Sequence, residues 1–348
     1  MDRKARPCCW KNPGSERFEQ PHWGGRIALE KVLPIVTIKV IIAIEKWCSH
    51  LIPPVGCETS ALEDFTRNCA NLPNWNHYSI KEFFAVKDLK QNVAIITGSS
   101  SGVGAATARL LASLGCNVVI NYNSNAEGAE QVAADCRQLG AETLVLGGNV
   151  AKDADCHALV DAAMAKWGRL DVLVNNAGTT KFVDHSDLDG LDSDDFQRIY
   201  GVNVIGCYQM VRAANAVMQQ QAGGGVVVNV ASTAAITGIG SSIAYAASKG
   251  AMVTLTLSLA RALGPKLRIN AVCPGFIEGD WLLEGLGQQK YEELIQFNRK
   301  NAPLGVTATP DTVAEAILYF ITGPQVVTGE TMIVDGGRHL TMTPLTRR

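Results

Sequence analysis

The chain has 348 residues, a length that allows about two domains at roughly 150 residues each, although one α/β domain can reach roughly 250. Lys plus Arg number 31 and Asp plus Glu 33, and the net charge of −2 gives no broad electrostatic hold on nucleic acid or anionic lipid. With 47% hydrophobic and 18% charged residues the chain can bury a sizeable core and falls outside the disordered class.

Composition shifts along the chain. Residues 1 to 90 hold four of the six Trp, five of the ten Cys and seven of the 13 Pro, but only four of the 33 Gly, which places a boundary near Val86. We read 1–86 as an N-terminal extension of undefined structure, 87–340 as a single α/β domain and 341–348 as a tail. The most apolar part of the extension, 32–44, includes Pro34 and Lys39 and is shorter than the about 20 residues of a membrane-spanning helix. Glu16, Glu19 and Glu30 precede it, unlike a secretory signal or a mitochondrial transit peptide. Cys48, His50, Cys57, Cys69 and His77 lack zinc-site spacing, so no metal is expected. The dispersed cysteines suit a reducing, cytoplasmic setting.

From Asn92 onward, apolar runs of four to six residues alternate with longer amphipathic stretches. Strands are predicted over 93–97, 118–121, 143–146, 172–175, 226–231, 269–273 and 331–334. Helices are predicted over 105–114, 127–139, 153–167, 194–220 and 244–263. The strands are too uniformly apolar to alternate between core and solvent, as expected of a parallel sheet covered on both faces. The pattern predicts a Rossmann-type doubly wound α/β fold of about seven strands.

The first strand runs into Thr97-Gly98-Ser99-Ser100-Ser101-Gly102-Val103-Gly104 and then a helix. Glycines there permit a tight turn and bring a pyrophosphate to a helix N-terminus, where free N–H groups and the dipole favour anions. Taken alone, such a turn is equally a tight strand-to-helix connection. Further along come Asn175-Asn176-Ala177-Gly178, Ser232 at the end of the fifth strand, Tyr245 and Lys249 four apart, and Pro274-Gly275 after the sixth strand. All fall at or just beyond the carboxyl ends of predicted strands, the edge where open α/β sheets bind ligands.

Together these residues resemble the short-chain dehydrogenase/reductase family, with its TGxxxGxG, NNAG, a serine 13 residues before the tyrosine of YxxxK, and a later PG. The resemblance covers about 88 to 340 and is strongest to members of the 3-oxoacyl-[acyl-carrier-protein] reductase type. It implies catalytic Ser232, Tyr245, Lys249 and Asn203, with Asn203 the candidate for an asparagine that supports a water linked to the lysine. It also implies cofactor contacts from Gly98, Ser100, Ser101, Gly102, Val103 and Gly104, from Asn149 and Val150 at the adenine, from Asn176, Ala177 and Gly178, and from Pro274, Gly275 and Ile277. Asn175 would only fix its turn. Gly279 stands where many relatives carry a threonine that holds the carboxamide.

Tyr245 and Lys249 share a helix face. The ammonium and an oxidised, cationic nicotinamide both favour phenolate, so Tyr245 is expected to move a proton near neutral pH. No carboxylate follows the second strand, where Asn121, Asn123 and Ser124 are neutral donors, so NADP is favoured and NAD remains open. The expected activity is hydride transfer between NADP(H) and a carbonyl or secondary alcohol, such as a 3-oxoacyl thioester or small ketone, beneath an apolar lid of Phe276, Trp281, Leu282 and Leu283. An alcohol, sugar or steroid dehydrogenase, and a low-turnover dinucleotide-binding sensor or scaffold, are the alternatives. Surplus apolar residues on the two longest helices, Val211, Val217, Met252, Leu255 and Leu259, predict a homodimer or homotetramer.

Overall fold

The computed structural model describes residues 89–341; the predicted extension over 1–86, with its apolar stretch and its cysteines and histidines, and the residues from 342 onward lie outside the described residues. Strand β1 (Val93–Ile96) shows why the strands are apolar throughout. Side chains alternate across a pleated strand, so Ala94 and Ile96 enter the core on one face of the sheet while Val93 and Ile95 enter the core on the other. Neither face meets water, and all four residues are fully buried.

The chain continues through α1 (Gly102–Ser113), β2 (Asn117–Tyr122), α2 (Ala126–Gln138), β3 (Thr143–Gly147), α3 (Asp153–Trp167) and β4 (Val172–Asn175). Then follow α4 (Ser193–Tyr200), a π-helical turn (Gly201–Gly206), α5 (Cys207–Met218), β5 (Gly225–Val230), the short α6 (Ala234–Thr237), α7 (Ile243–Leu263) and β6 (Leu267–Pro274). Helices α8 (Asp280–Leu286), α9 (Gln288–Asn301) and α10 (Pro310–Thr322), strand β7 (Thr331–Val334) and a 3-10 turn (Arg338–Thr341) complete it. The seven strands are all parallel, in the order β3-β2-β1-β4-β5-β6-β7. Helices α1, α2 and α10 cover one face, and α3, α5 and the end of α7 the other.

After β3 the chain returns past β1 to start β4 on its other side. That reversal opens a crevice between the carboxyl ends of β1 and β4, the preferred ligand position in such sheets. The glycine turn follows β1 and the Asn175-Asn176-Ala177-Gly178 turn follows β4, so the topology itself brings these two distant segments together.

Two expectations are corrected. The helix expected over 194–220 runs over 193–218, but a π turn widens it within, with right-handed helical backbone at both junctions. Gly206, at the end of that turn, lies so close to Val150 that a Cβ there would sit 2.7 Å from its Cγ2. Val211 and Met252, expected as surplus surface residues, are instead in the core. The outer apolar residues of these helices are Ile205, Tyr208 and Leu257, each about half exposed. Among the described residues α7 alone has the length and hydropathy of a membrane-crossing helix. Its apolarity has a local cause, because it packs against β6, α6 and the π turn.

Candidate active site

The glycine turn is built by backbone conformation and close contact. Gly98 and Gly102 have φ values of 61° and 54°, in the left-handed region that side-chain-bearing residues rarely adopt. A Cβ on Gly104 would lie 2.5 Å from Asn176 Nδ2 and 2.6 Å from the Gly98 carbonyl oxygen. No side chain caps α1, and its first turn holds no acid. First-turn N–H groups lacking intrahelical partners, with the helix dipole behind them, fit the pyrophosphate of a dinucleotide.

Hydroxyls brace this turn. Thr97 Oγ1 accepts the backbone N–H groups of Asn176 and Ala177, both at 3.0 Å. Fully buried Ser99 donates to the Ile96 carbonyl at 2.7 Å and accepts Asn121 N–H at 3.0 Å. Asn176 Nδ2 donates to the carbonyls of Thr97 and Gly98, both at 2.9 Å, so this residue fastens the two turns to each other while lining the crevice.

Asn121 differs from expectation. Its side chain is buried, its Oδ1 accepts Gly98 N–H at 3.1 Å, and its Nδ2 donates to Leu146 and Gly148 carbonyls. The amide is committed to holding β1, β2 and β3 in register, which leaves the exposed Asn123 and Ser124 as the free donors at the end of β2. Asn149 forms a local turn, its Oδ1 accepting Ala151 N–H at 3.0 Å, and Val150 is buried beside it.

Helix α7 supplies Tyr245 and Lys249 from consecutive turns. Ser242 is its N-cap, accepting Tyr245 N–H at 3.3 Å, so Tyr245 sits in the first turn where its position is fixed. Lys249 is buried, its Nζ donating to the Val230 carbonyl at 2.7 Å and lying 5.7 Å from the Tyr245 ring centroid. Ser232, at the end of β5, accepts Ala234 N–H at 3.1 Å. Asn203 is wholly buried in the π turn: its Oδ1 accepts Thr179 N–H at 2.8 Å, and its Nδ2 donates to the Thr179 carbonyl at 3.0 Å and to Ser248 Oγ at 2.9 Å. A Cβ on Gly178 would lie 3.5 Å from Asn203 Oδ1 and 3.6 Å from Lys249 Nζ, so the four candidates converge around that glycine and the Tyr245 phenol.

Burial adds an electrostatic feature that spacing alone does not show. Burial pushes the Tyr245 phenol up to about 12, against the lowering influence of the Ser232 hydroxyl. Burial also pushes Lys249 down to about 8. The low dielectric that the helix spacing does not reveal outweighs the attraction between neighbours. Without a bound dinucleotide, Tyr245 therefore holds its proton and Lys249 loses its own near pH 8. If the charged lysine is needed, kcat/KM for reduction is expected to be flat below about pH 7 and to fall through pH 8 to 9 as Lys249 deprotonates, long before Tyr245 ionises. A profile that stays flat up to pH 10 would remove Lys249's charge from the reaction.

The open side of Tyr245 faces aromatic residues. Trp281, on α8, has its ring centroid 6.3 Å from that of Tyr245, and Phe182, in the loop after β4, is 5.8 Å from Trp281. The segment after β6 is anchored at Gly275, whose N–H donates to the Val334 carbonyl at 2.9 Å. Beyond it, Glu278 binds Arg299 at 2.6 Å and accepts the Thr307 hydroxyl. Burial works to raise the Glu278 carboxyl, yet Thr307 and Arg299 hold it below its usual range. Tyr291 accepts Gly279 N–H through its hydroxyl at 2.8 Å, giving that backbone position a partner within the chain.

Residues 98–339 match the sequence pattern of a family described as enoyl-(acyl carrier protein) reductase. A Streptomyces violaceoruber protein described as ketoacyl reductase 2 of the granaticin polyketide synthase is 40% identical over 248 residues, which is 71% of this chain and 96% of that one. The chain belongs to the short-chain dehydrogenase/reductase family. A Synechocystis 3-oxoacyl-[acyl-carrier-protein] reductase is 34% identical over 72% of this chain and 97% of its own length. Among solved structures, a protein from Burkholderia xenovorans described as a short-chain dehydrogenase/reductase superposes with a TM-score of 0.66 at 41% identity, covering 72% of this chain and 98% of that one. As a member of the family, the protein is an oxidoreductase that uses a nicotinamide dinucleotide.

Sequence reasoning missed Thr97, Ser99, Ser242 and Ser248 as supports of the site. Ser242 had a readable signal, a serine placed immediately before a helical stretch. Phe182 had none, because loop length and conformation set where it lands.

Proposed function

We propose that this short-chain dehydrogenase/reductase reduces the carbonyl of a 3-oxo compound or small ketone with NADPH, within a single unit over 87–340 that holds both cofactor and substrate sites. The observation that carries the reading is the Tyr245 phenol beside Ser232 at the carboxyl edge of the sheet, with Lys249 one turn further along α7. A reduced nicotinamide, held through the glycine turn at 98–104 and Lys249, would supply hydride to the carbonyl carbon. Tyr245 gives its proton to the carbonyl oxygen, converting C=O to CH–OH, while the Ser232 hydroxyl donates a hydrogen bond that aligns the same oxygen. Lys249 steadies the ribose and the phenol, and Asn203 fixes the loop after β4 against α7. The relatives described as ketoacyl and 3-oxoacyl reductases support a 3-oxo substrate.

NADP is supported by the end of β2. Asn123 and Ser124 are exposed neutral donors, and a Cβ on Gly128 at the start of α2 would lie 2.7 Å from the Ser100 carbonyl oxygen, so the uncapped α1 turn and α2 converge there. The end of β2 itself carries no carboxylate to repel a 2′-phosphate, the next acid in sequence being Glu127 in the first turn of α2. The wild type is expected to prefer NADPH to NADH, and Asn123→Asp to lower that preference by about 1 kcal/mol, roughly fivefold, since solvent screens this exposed position. Steady-state kinetics with both cofactors and a panel of 3-oxoacyl esters, diketones and quinones test this. A wild type that prefers NADH would reject the NADP reading, and NADPH binding without oxidation would favour a sensor.

Pairing of two copies through the outer faces of the π turn, α5 and α7 follows from half-exposed Ile205, Tyr208 and Leu257, too much apolar surface on adjacent helices to leave in water. A monomer mass in light scattering at micromolar concentration would contradict it.

A further inference from the structure

The ring of Trp281 is half exposed although it lies beside the candidate proton donor. Tyr245, Trp281 and Phe182 form a file of three rings, with successive centroids 6.3 and 5.8 Å apart. Two features hold the file in place. Gly285, one turn beyond Trp281 on α8, leaves room that the Phe182 ring fills so fully that a Cβ there would overlap it. The loop carrying Phe182 is tied to the segment before α7 by Val183 N–H donating to the Ser241 carbonyl at 2.9 Å and by the Thr180 and Ser241 hydroxyls at 2.6 Å. On the Tyr245 side, a Cβ on Gly240 would lie 3.2 Å from Tyr245 Cδ1, so the phenol has a backbone wall behind it and the Trp281 ring beside it.

A wall of this kind has a chemical preference. Offset or edge-to-face ring contacts stabilise a planar aromatic ligand beyond the area it buries, by up to about tenfold in affinity, whereas a saturated chain gains only the area. Both rings also meet their ligand without losing much conformational freedom, having two side-chain torsions each. We propose that Phe182 and Trp281 form an aromatic clamp that selects carbonyl substrates in which the reacting C=O is joined to, or lies within, a planar unsaturated ring system. This rests on the reductase reading only in taking Tyr245 as the point where the carbonyl docks. The clamp holds the ring plane against Trp281 and leaves the carbonyl oxygen at the phenol and Ser232.

The test uses the full chain with NADPH and two probes, the bicyclic aryl ketone tetralone and an acetoacetyl thioester. The ratio of their kcat/KM values is expected to favour tetralone in the wild type. Trp281→Ala is expected to lower that ratio about tenfold, mainly through KM for tetralone, and Trp281→Phe to keep most of it. Gly285→Ala, which fits a helix but displaces Phe182, is expected to lower the ratio in the same direction without touching Trp281. A ratio that moves less than about twofold in both alanine variants would overturn the clamp while leaving the reductase intact. If no carbonyl is reduced, the reductase reading falls, and calorimetric binding of tetralone decides the clamp by itself. It stands if Trp281→Ala weakens that binding about tenfold and fails if the affinity is unchanged.

Discussion

Tyr245→Phe is expected to lower turnover at least about 100-fold, the usual contribution of a positioned acid–base group, while NADPH affinity stays nearly unchanged. The substitution removes one oxygen and keeps the ring that packs beside Trp281 and in front of Gly240. The N-cap at Ser242 bonds the backbone of residue 245 and is indifferent to the hydroxyl. The packing of the ring is kept, only the bond to the Ser232 hydroxyl is lost, and the main effect falls on proton transfer to the carbonyl oxygen. NADPH oxidation followed by absorbance, beside a fluorescence titration of NADPH, separates the two quantities. Activity within about threefold of wild type would reject Tyr245 as the proton donor.

Gly104→Ala is expected to damage nucleotide binding far more than its single added methyl suggests. The Cβ would come within 2.6 Å of the Gly98 carbonyl oxygen and 2.8 Å of Ser99 Cα, both backbone atoms that cannot swing aside. Overpacking of this kind costs about 1–3 kcal/mol. Here the strain falls on the turn that forms the pyrophosphate seat, so the NADPH dissociation constant is expected to rise about tenfold or more. Asn176 Nδ2, 2.5 Å from the same Cβ, would also be pushed from its bonds to Thr97 and Gly98. An unchanged NADPH titration curve would show that the turn relaxes freely, and would remove close packing as the reason for glycine at this position.

The five inner strands were legible because burial on both faces leaves a run of apolar residues with no alternative use, while the edge strands β3 and β7, only partly buried, showed through the same apolar runs. The glycine turn, the Asn175-Asn176 turn and Ser232 were legible because each sits where a strand ends, a position set by chain order, and the Tyr245–Lys249 pair because four-residue spacing puts both on one face of a helix. What escaped was whatever depended on local departure from regular geometry or on the electrostatic environment. A helical periodicity cannot announce the wider turn that buries Asn203. Asn121 looked available because a side chain's partners across three strands are not visible from its neighbours in sequence. The electrostatic setting of Tyr245 escaped for a related reason: spacing shows that Lys249 is near, but only the fold shows the burial that pushes the phenol up. Helices α8 and α9 were missed because α9 has no buried residue, so the apolar stripe that reveals other helices is absent.

That same lack of burial has a consequence for how the enzyme can change. Among the described side chains of α8 and α9 none is in the core, and the pair is held to the sheet by local links such as Glu278 to Arg299 and Gly279 to Tyr291. Substitutions there alter the wall that meets the substrate while costing the typical surface change of about 0.5 kcal/mol or less. The sheet, the two turns and α7 can therefore stay fixed while residues 280–301 drift. A graft of this segment from a relative with a different substrate is a natural unit of exchange, needing only an acid at 278, a basic partner at 299 and a hydroxyl at 291 to seat it.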